Sequence, residues 1–153
     1  GNREVVLVAV AQYGLALQDA SEELKGDREV VLAAVAQNGS ALYEASTELK
    51  GDREVVLAAV THGDALEHAS LELKGDREVV LATVAQDGYA LVHASAELQG
   101  AREVVLAAVA QNGSALYEAS TELKGDREVV LAAVTHGDAL EHASLELKGD
   151  REV

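Results

Sequence analysis

The chain has 153 residues, 48% of them hydrophobic and 25% charged, with 27 acidic side chains against 12 basic ones and a formal net charge of −15. Recognition of phosphates needs a basic patch and an anionic bilayer repels this sign of surface, so the composition argues against nucleic-acid and membrane partners. Cysteine is absent, which removes disulfides and thiolate chemistry, and no apolar run approaches the length of a membrane span.

Taken in order, the chain is one unit copied. Units begin at Gly1, Gly26, Gly51, Gly75, Gly100 and Gly125, and a partial seventh runs from Gly149 to Val153. The third and sixth units have 24 residues and the others 25, because THGDALEHAS replaces AQNGSALYEAS. A longer period overlies this one. Residues 1–74 and 75–148 are the same three-unit block, differing at ten positions, and residues 28–74 are identical to 102–148. Recent duplication and deliberate concatenation both account for it. In such an array each unit packs on its neighbours, so the core is a strip that lengthens with copy number.

Within the unit at 26–50, Asp27 precedes an apolar run and predicts an N-cap, with Glu29 beside the positive end of the helix it opens. That first helix is expected from Arg28 to about Asn38. Gly39 then stands where a left-handed C-terminal cap wants glycine. A second helix is expected from about Ser40 to Lys50, with Leu42, Ala45 and Leu49 on one face and Glu44 and Glu48 on the other. Ser46 recurs as Ser21, Ser70, Ser95, Ser120 and Ser144 and is expected to bond back to the preceding turn. The missing residue at Thr61-His62-Gly63, and again at Thr135-His136-Gly137, is expected to shorten the first helix or the turn after it.

The fold class that follows is all-α, an α-solenoid of six helix–turn–helix repeats of 24–25 residues plus the partial seventh. A leucine-rich repeat has a similar period, and VVLAAV could be a strand. Against it stand the absent leucine ladder, the Ala, Glu and Leu content, and the caps around both apolar segments.

The string D-R-E-V-V-L-A-A-V-x-x-N-G-x-A-L-x-x-A-S-x-E-L-K resembles the short tandem repeat DUF4116, a domain of unknown function. The resemblance covers the whole chain, through Asn38-Gly39, Ala41-Leu42, Ala45-Ser46 and Glu48-Leu49-Lys50. The shortened third and sixth units and Ala101 in place of an Asp cap depart from it. It implies a helical array and no catalytic residues.

Three surface features are candidates for function. Asp19, Glu44, His68, His93, Glu118 and His142 align in one column of the second helix, expected to be an exposed ladder opposite Leu42 and Leu49. His68, His93 and His142 are the candidate metal ligands. Ligand atoms must lie about 2 Å from one ion, whereas packed helices are roughly 9–10 Å apart, so the expectation is solvated histidines and no metal site. His62 and His136 fall near a helix C-terminus, where an imidazolium favours the dipole, and Asp64 reads as an N-cap paired with His68.

Two further columns vary most between units. One holds Gln18, Tyr43, Glu67, Val92, Tyr117 and Glu141; the other holds Leu15, Ser40, Asp64, Tyr89, Ser114 and Asp138. Variable columns in a solenoid form binding faces, so Tyr43, Tyr89, Val92 and Tyr117 are the candidate protein-binding strip. Neutral drift on a solvated face produces the same pattern.

No phosphate loop, dinucleotide fingerprint or nucleophile with base and orienter is present, so neither catalysis nor a cofactor is expected. The leading expectation is a non-enzymatic scaffold for interaction with a protein partner. The alternative is a structural protein that stacks head to tail with itself, because the first helix, REVVLVAV, is as apolar as the internal ones. Metal binding by the histidine ladder is the distant third.

Overall fold

A computed structural model describes residues 2–62 and 64–136. The chain divides into two compact units, Gly1–Lys74 and Gly75–Val153, and the division falls on the seam of the three-repeat duplication. Among the described residues there are helices and no strands. Each unit is a stack of repeats, which is the all-α solenoid architecture expected.

In the first unit the long helices are α1 (Arg3–Gln12), α3 (Arg28–Gln37) and α5 (Arg53–Ala59). In the second they are α8 (Arg77–Gln86), α10 (Arg102–Gln111) and α12 (Arg127–Thr135). The caps work as their residue types dictate: Asp27 Oδ1 accepts from the amides of Glu29 at 3.0 Å and Val30 at 3.1 Å, and Asp52 and Asp126 repeat the arrangement. Ala101 offers no side-chain cap. Consecutive long helices pack side by side, α1 on α3 on α5 and α8 on α10 on α12. Val30, Val31, Ala34 and Val35 of α3 are fully buried there.

The second helix of each repeat departs from the expected single element. In the repeat at 26–50 it is a 3-10 helix, η2 (Gly39–Glu44), followed by one α-turn, α4 (Thr47–Lys50). Ala45 and Ser46 between them are extended, with ψ of 156° and 155°. The same division gives η1 (Gly14–Asp19) with α2 (Glu22–Lys25), η3 (Gly88–His93) with α9 (Ala96–Gln99), and η4 (Gly113–Glu118) with α11 (Thr121–Lys124). In the 24-residue repeat at 51–74 the corresponding pair is α6 (Ala65–His68) and α7 (Leu71–Lys74).

Serine causes the break. Ser46 does not bond back to the preceding turn; it is the N-cap of α4, its Oγ accepting from the Leu49 amide at 3.4 Å. Its own amide is thereby freed to donate to the carbonyl of Lys25 in the preceding repeat, at 3.0 Å. Ser70 to Lys50 at 2.9 Å and Ser120 to Gln99 at 3.0 Å repeat this link. The apolar face survives the break, since Leu42, Ala45 and Leu49 are all buried.

The glycines are not left-handed caps. None of Gly14, Gly26, Gly39, Gly51, Gly88 and Gly100 has a positive φ; Asn38, extended at φ −151°, ends α3 instead. What Gly39 supplies is close approach. A Cβ there would sit 2.1 Å from the carbonyl oxygen of Ala59.

Candidate protein-binding strip

The 3-10 geometry changes how the two variable columns relate. With three residues per turn, side chains at i and i+3 eclipse, so Tyr89 and Val92 share one face of η3, Ser114 and Tyr117 share one face of η4, and Ser40 and Tyr43 share one face of η2. Positions three apart are neighbours on an α-helix as well; the 3-10 turn brings them into line. Tyr43 is 62% exposed, and Tyr89 and Tyr117 are each 55% exposed; Val92 is half-buried. In the second unit η3 packs directly on η4, which brings the faces carrying Tyr89 and Tyr117 onto adjacent repeats. Tyr13, 56% exposed at the residue before η1, was not singled out from the sequence because no other repeat has an aromatic residue there.

Around Tyr43 the surface is structured. The Lys50 Nζ lies 5.4 Å from the ring centroid, within cation–π range, and the His68 ring stands edge-on at 5.2 Å between centroids. A rigid aromatic side chain beside a cation keeps most of its area available for contact at low entropic cost.

The column of acids and histidines is not the exposed ladder expected. Glu44, His68, His93 and Glu118 are half-buried, and among the described members only Asp19 is exposed; His142 lies outside the described residues. In the repeat at 26–50 this column faces the lysine that ends the preceding repeat. Lys25 Nζ bonds Glu44 Oε2 at 3.2 Å and approaches Glu22 Oε1 at 3.5 Å, and Glu44 holds the Lys25 ammonium above its ordinary pKa. In the repeat at 51–74 the column carries His68, and Lys50 lies over the Tyr43 ring. Where Gln99 replaces lysine, its amide donates to the carbonyls of Leu91 at 3.1 Å and Val92 at 3.3 Å. Among the described residues no three metal-ligating side chains converge on one point. Asp64 occupies the N-cap position of α6 without a side-chain cap bond. His62 and His136 are exposed, and their contribution is a backbone carbonyl: His62 accepts from Gly39 at 2.5 Å and His136 from Gly113 at 3.3 Å.

A second line of side chains, which sequence reasoning missed, binds the first turns of successive long helices. Arg3 Nε donates to Asp27 Oδ2 at 2.7 Å and its Nη2 to Glu29 Oε2 at 2.5 Å. Arg28 bridges Asp52 and Glu54 in the same way, and Arg102 bridges Asp126 and Glu128. Arg77 meets only Glu103, at 2.5 Å, because Ala101 stands where the aspartate would be. The guanidinium beside Asp27, and likewise beside Asp52, holds the carboxylate below its usual range; for Asp126 the Val129 amide is the larger cause and Arg102 the second. The signal was in the sequence as a DRE triplet recurring at the repeat period, with an arginine one repeat from each acid.

The family described as Domain of unknown function (DUF4116) matches the chain three times, over residues 2–50, 52–99 and 102–148. The chain belongs to that family. Each match spans two of the 24–25-residue units, so the family's repeat is a pair of units, whereas the internal duplication copies three. No curated protein and no solved structure matches the chain.

Proposed function

We propose that the chain is a non-enzymatic helical-repeat scaffold whose exposed 3-10 faces bind a protein. The observation that supports this reading is the solvent exposure of Tyr43, Tyr89 and Tyr117 on helices that are otherwise anchored by buried leucines. Tyrosine gives large contact area for few rotatable bonds and is enriched among residues that dominate interface energy. Because the net charge is −15, the partner that fits is a basic segment, steered by the acidic surface. A second reading, a structural protein that associates with itself, is favoured by the exposed Val5 and Val8 of α1.

Selection from a displayed peptide library tests the first reading, using the chain and a Tyr43→Ser, Tyr89→Ser, Tyr117→Ser variant with an unchanged circular dichroism spectrum. Lys- and Arg-rich peptides are expected on the parent alone. The same peptide pool on both proteins overturns the strip as the binding face.

A further inference from the structure

We propose that the second unit binds a lysine or arginine side chain of its protein partner on Glu118, at a position that the first unit fills with a lysine of its own. This rests on the reading of the strip as a protein-binding face and names one group the partner must bring.

The first unit defines the position. Lys25, which ends the first repeat, sets its Nζ 3.2 Å from Glu44 Oε2 on η2 of the next repeat. Lys50, the same residue one repeat on, carries its Nζ over the Tyr43 ring of its own repeat. An ammonium held here thus has two neighbours: the variable column of its own repeat and the acid-and-histidine column of the following one.

The second unit keeps the acid without the cation. Glu118 is the equivalent of Glu44, and Gln99 is the equivalent of Lys25. The Gln99 amide folds back onto η3, to the carbonyls of Leu91 at 3.1 Å and Val92 at 3.3 Å. Among the described residues Glu118 makes no hydrogen bond or ion pair. It is half-buried, so it has given up part of its water with no counter-charge in return, and a donor cation that reaches it is favoured.

The surroundings select a side chain over a free ion. Residues 89–96, YALVHASA, contain no Asp, Glu, Lys or Arg, whereas the equivalent residues 15–22, LALQDASE, carry Asp19 and Glu22. Val92 stands at the position Tyr43 occupies beneath Lys50, and Tyr117, 55% exposed, directly precedes Glu118. A cation approaching Glu118 therefore crosses apolar and aromatic surface. That suits the methylene stem of a lysine or arginine and gives nothing to a small hydrated ion.

The test uses the whole chain and the basic peptide returned most often by the library selection, labelled with fluorescein and followed by anisotropy. Glu118→Gln is expected to weaken binding about tenfold or more, as loss of a close charge partner does. Glu44→Gln makes the same change in net charge at a carboxylate already held by Lys25, and should leave affinity within about twofold, remote charges being screened. Gln99→Lys should occupy the position from within, weakening the peptide as much as Glu118→Gln does with an unchanged circular dichroism spectrum. Norleucine replacement of the peptide's basic residues, one at a time, should find one whose loss costs about tenfold on the parent and almost nothing on Glu118→Gln.

The proposal is overturned if Glu118→Gln and Glu44→Gln act alike, if Gln99→Lys binds as the parent does, or if no basic residue of the peptide couples to Glu118. When any of these accompanies binding that still falls with Tyr89→Ser and Tyr117→Ser, the strip stands and the Glu118 assignment alone fails. Binding indifferent to the tyrosines, or recovery of no basic peptide, overturns both.

Discussion

Between the first and second repeats the amide of Gly14 donates to the side chain of Gln37, at 2.6 Å. Between the second and third the amide of Gly39 donates instead to the backbone carbonyl of His62. The second unit shows the same pair, Gly88 to Gln111 Oε1 at 3.2 Å and Gly113 to the carbonyl of His136. These glycines are buried, and Gly14, Gly39 and Gly88 press so closely on the end of the next long helix that their amides need an acceptor there. A 25-residue repeat supplies it with the glutamine that ends the helix. In the 24-residue repeat the chain turns earlier and a carbonyl arrives in its place. Losing one residue is tolerated because the buried donor is handed to another acceptor rather than orphaned.

The largest effect should come from destroying the close approach both junctions share. Gly39→Ala would put a methyl 2.1 Å from the Ala59 oxygen and close to the His62 carbonyl. Backbone atoms cannot swing aside, so the expected cost is about 3 kcal/mol, read as a lowered urea midpoint. Gly51→Ala is the contrast. Gly51 is right-handed, at φ −99°, and a Cβ would meet the Glu48 carbonyl oxygen at 3.4 Å, an ordinary contact. A gain of about 0.5 kcal/mol is expected there from the stiffer unfolded chain. Equal effects at the two glycines would mean that close approach is not what Gly39 provides.

The difference between the junctions can itself be broken. Gln37→Ala removes the acceptor of a buried amide and should cost about 1–2 kcal/mol. His62→Ala keeps its backbone carbonyl and loses only an exposed side chain, so a change within about 0.5 kcal/mol is expected. Comparable losses in the two variants, measured by the same denaturant titration, would dissolve the distinction.

What could be read from the sequence divides along similar lines. The long helices were legible because Asp27 and the apolar run after it act within one turn. The break at Ala45-Ser46 was not, since Leu42, Ala45 and Leu49 satisfy the spacing of one continuous helix and the bond that favours the break joins Ser46 to Lys25, in another repeat. Gly39 was placed correctly and explained wrongly, because a glycine after a helix looks the same whether it relieves a left-handed turn or admits Ala59. The tyrosines were legible as surface residues, and their two columns, three residues apart, are neighbours on either type of helix; only their direct alignment depends on the 3-10 turn. Half-burial of Glu44 and His68 depends on the neighbouring repeat and is invisible within any one unit.

The comparison of junctions sharpens at their other edge, where the joining group is again present or absent. Arg102 meets both Asp126 and Glu128, while Arg77 has Glu103 alone and α10 starts without a side-chain cap. Ala101→Asp should supply the missing cap and a second carboxylate for Arg77. The cap carries most of the gain, about 1 kcal/mol, since an exposed ion pair adds little. Its pH dependence identifies the source. Asp27, Asp52 and Asp126 all have lowered pKa values in the folded chain, so an aspartate at 101 should bind its proton more weakly folded than unfolded. Its contribution is then complete above the unfolded value of about 3.9 and drains away as pH falls through the lower folded value. Urea midpoints of Ala101→Asp and the parent should therefore differ at neutral pH and converge near about pH 2. A difference that persists in acid would assign the gain to something other than the carboxylate.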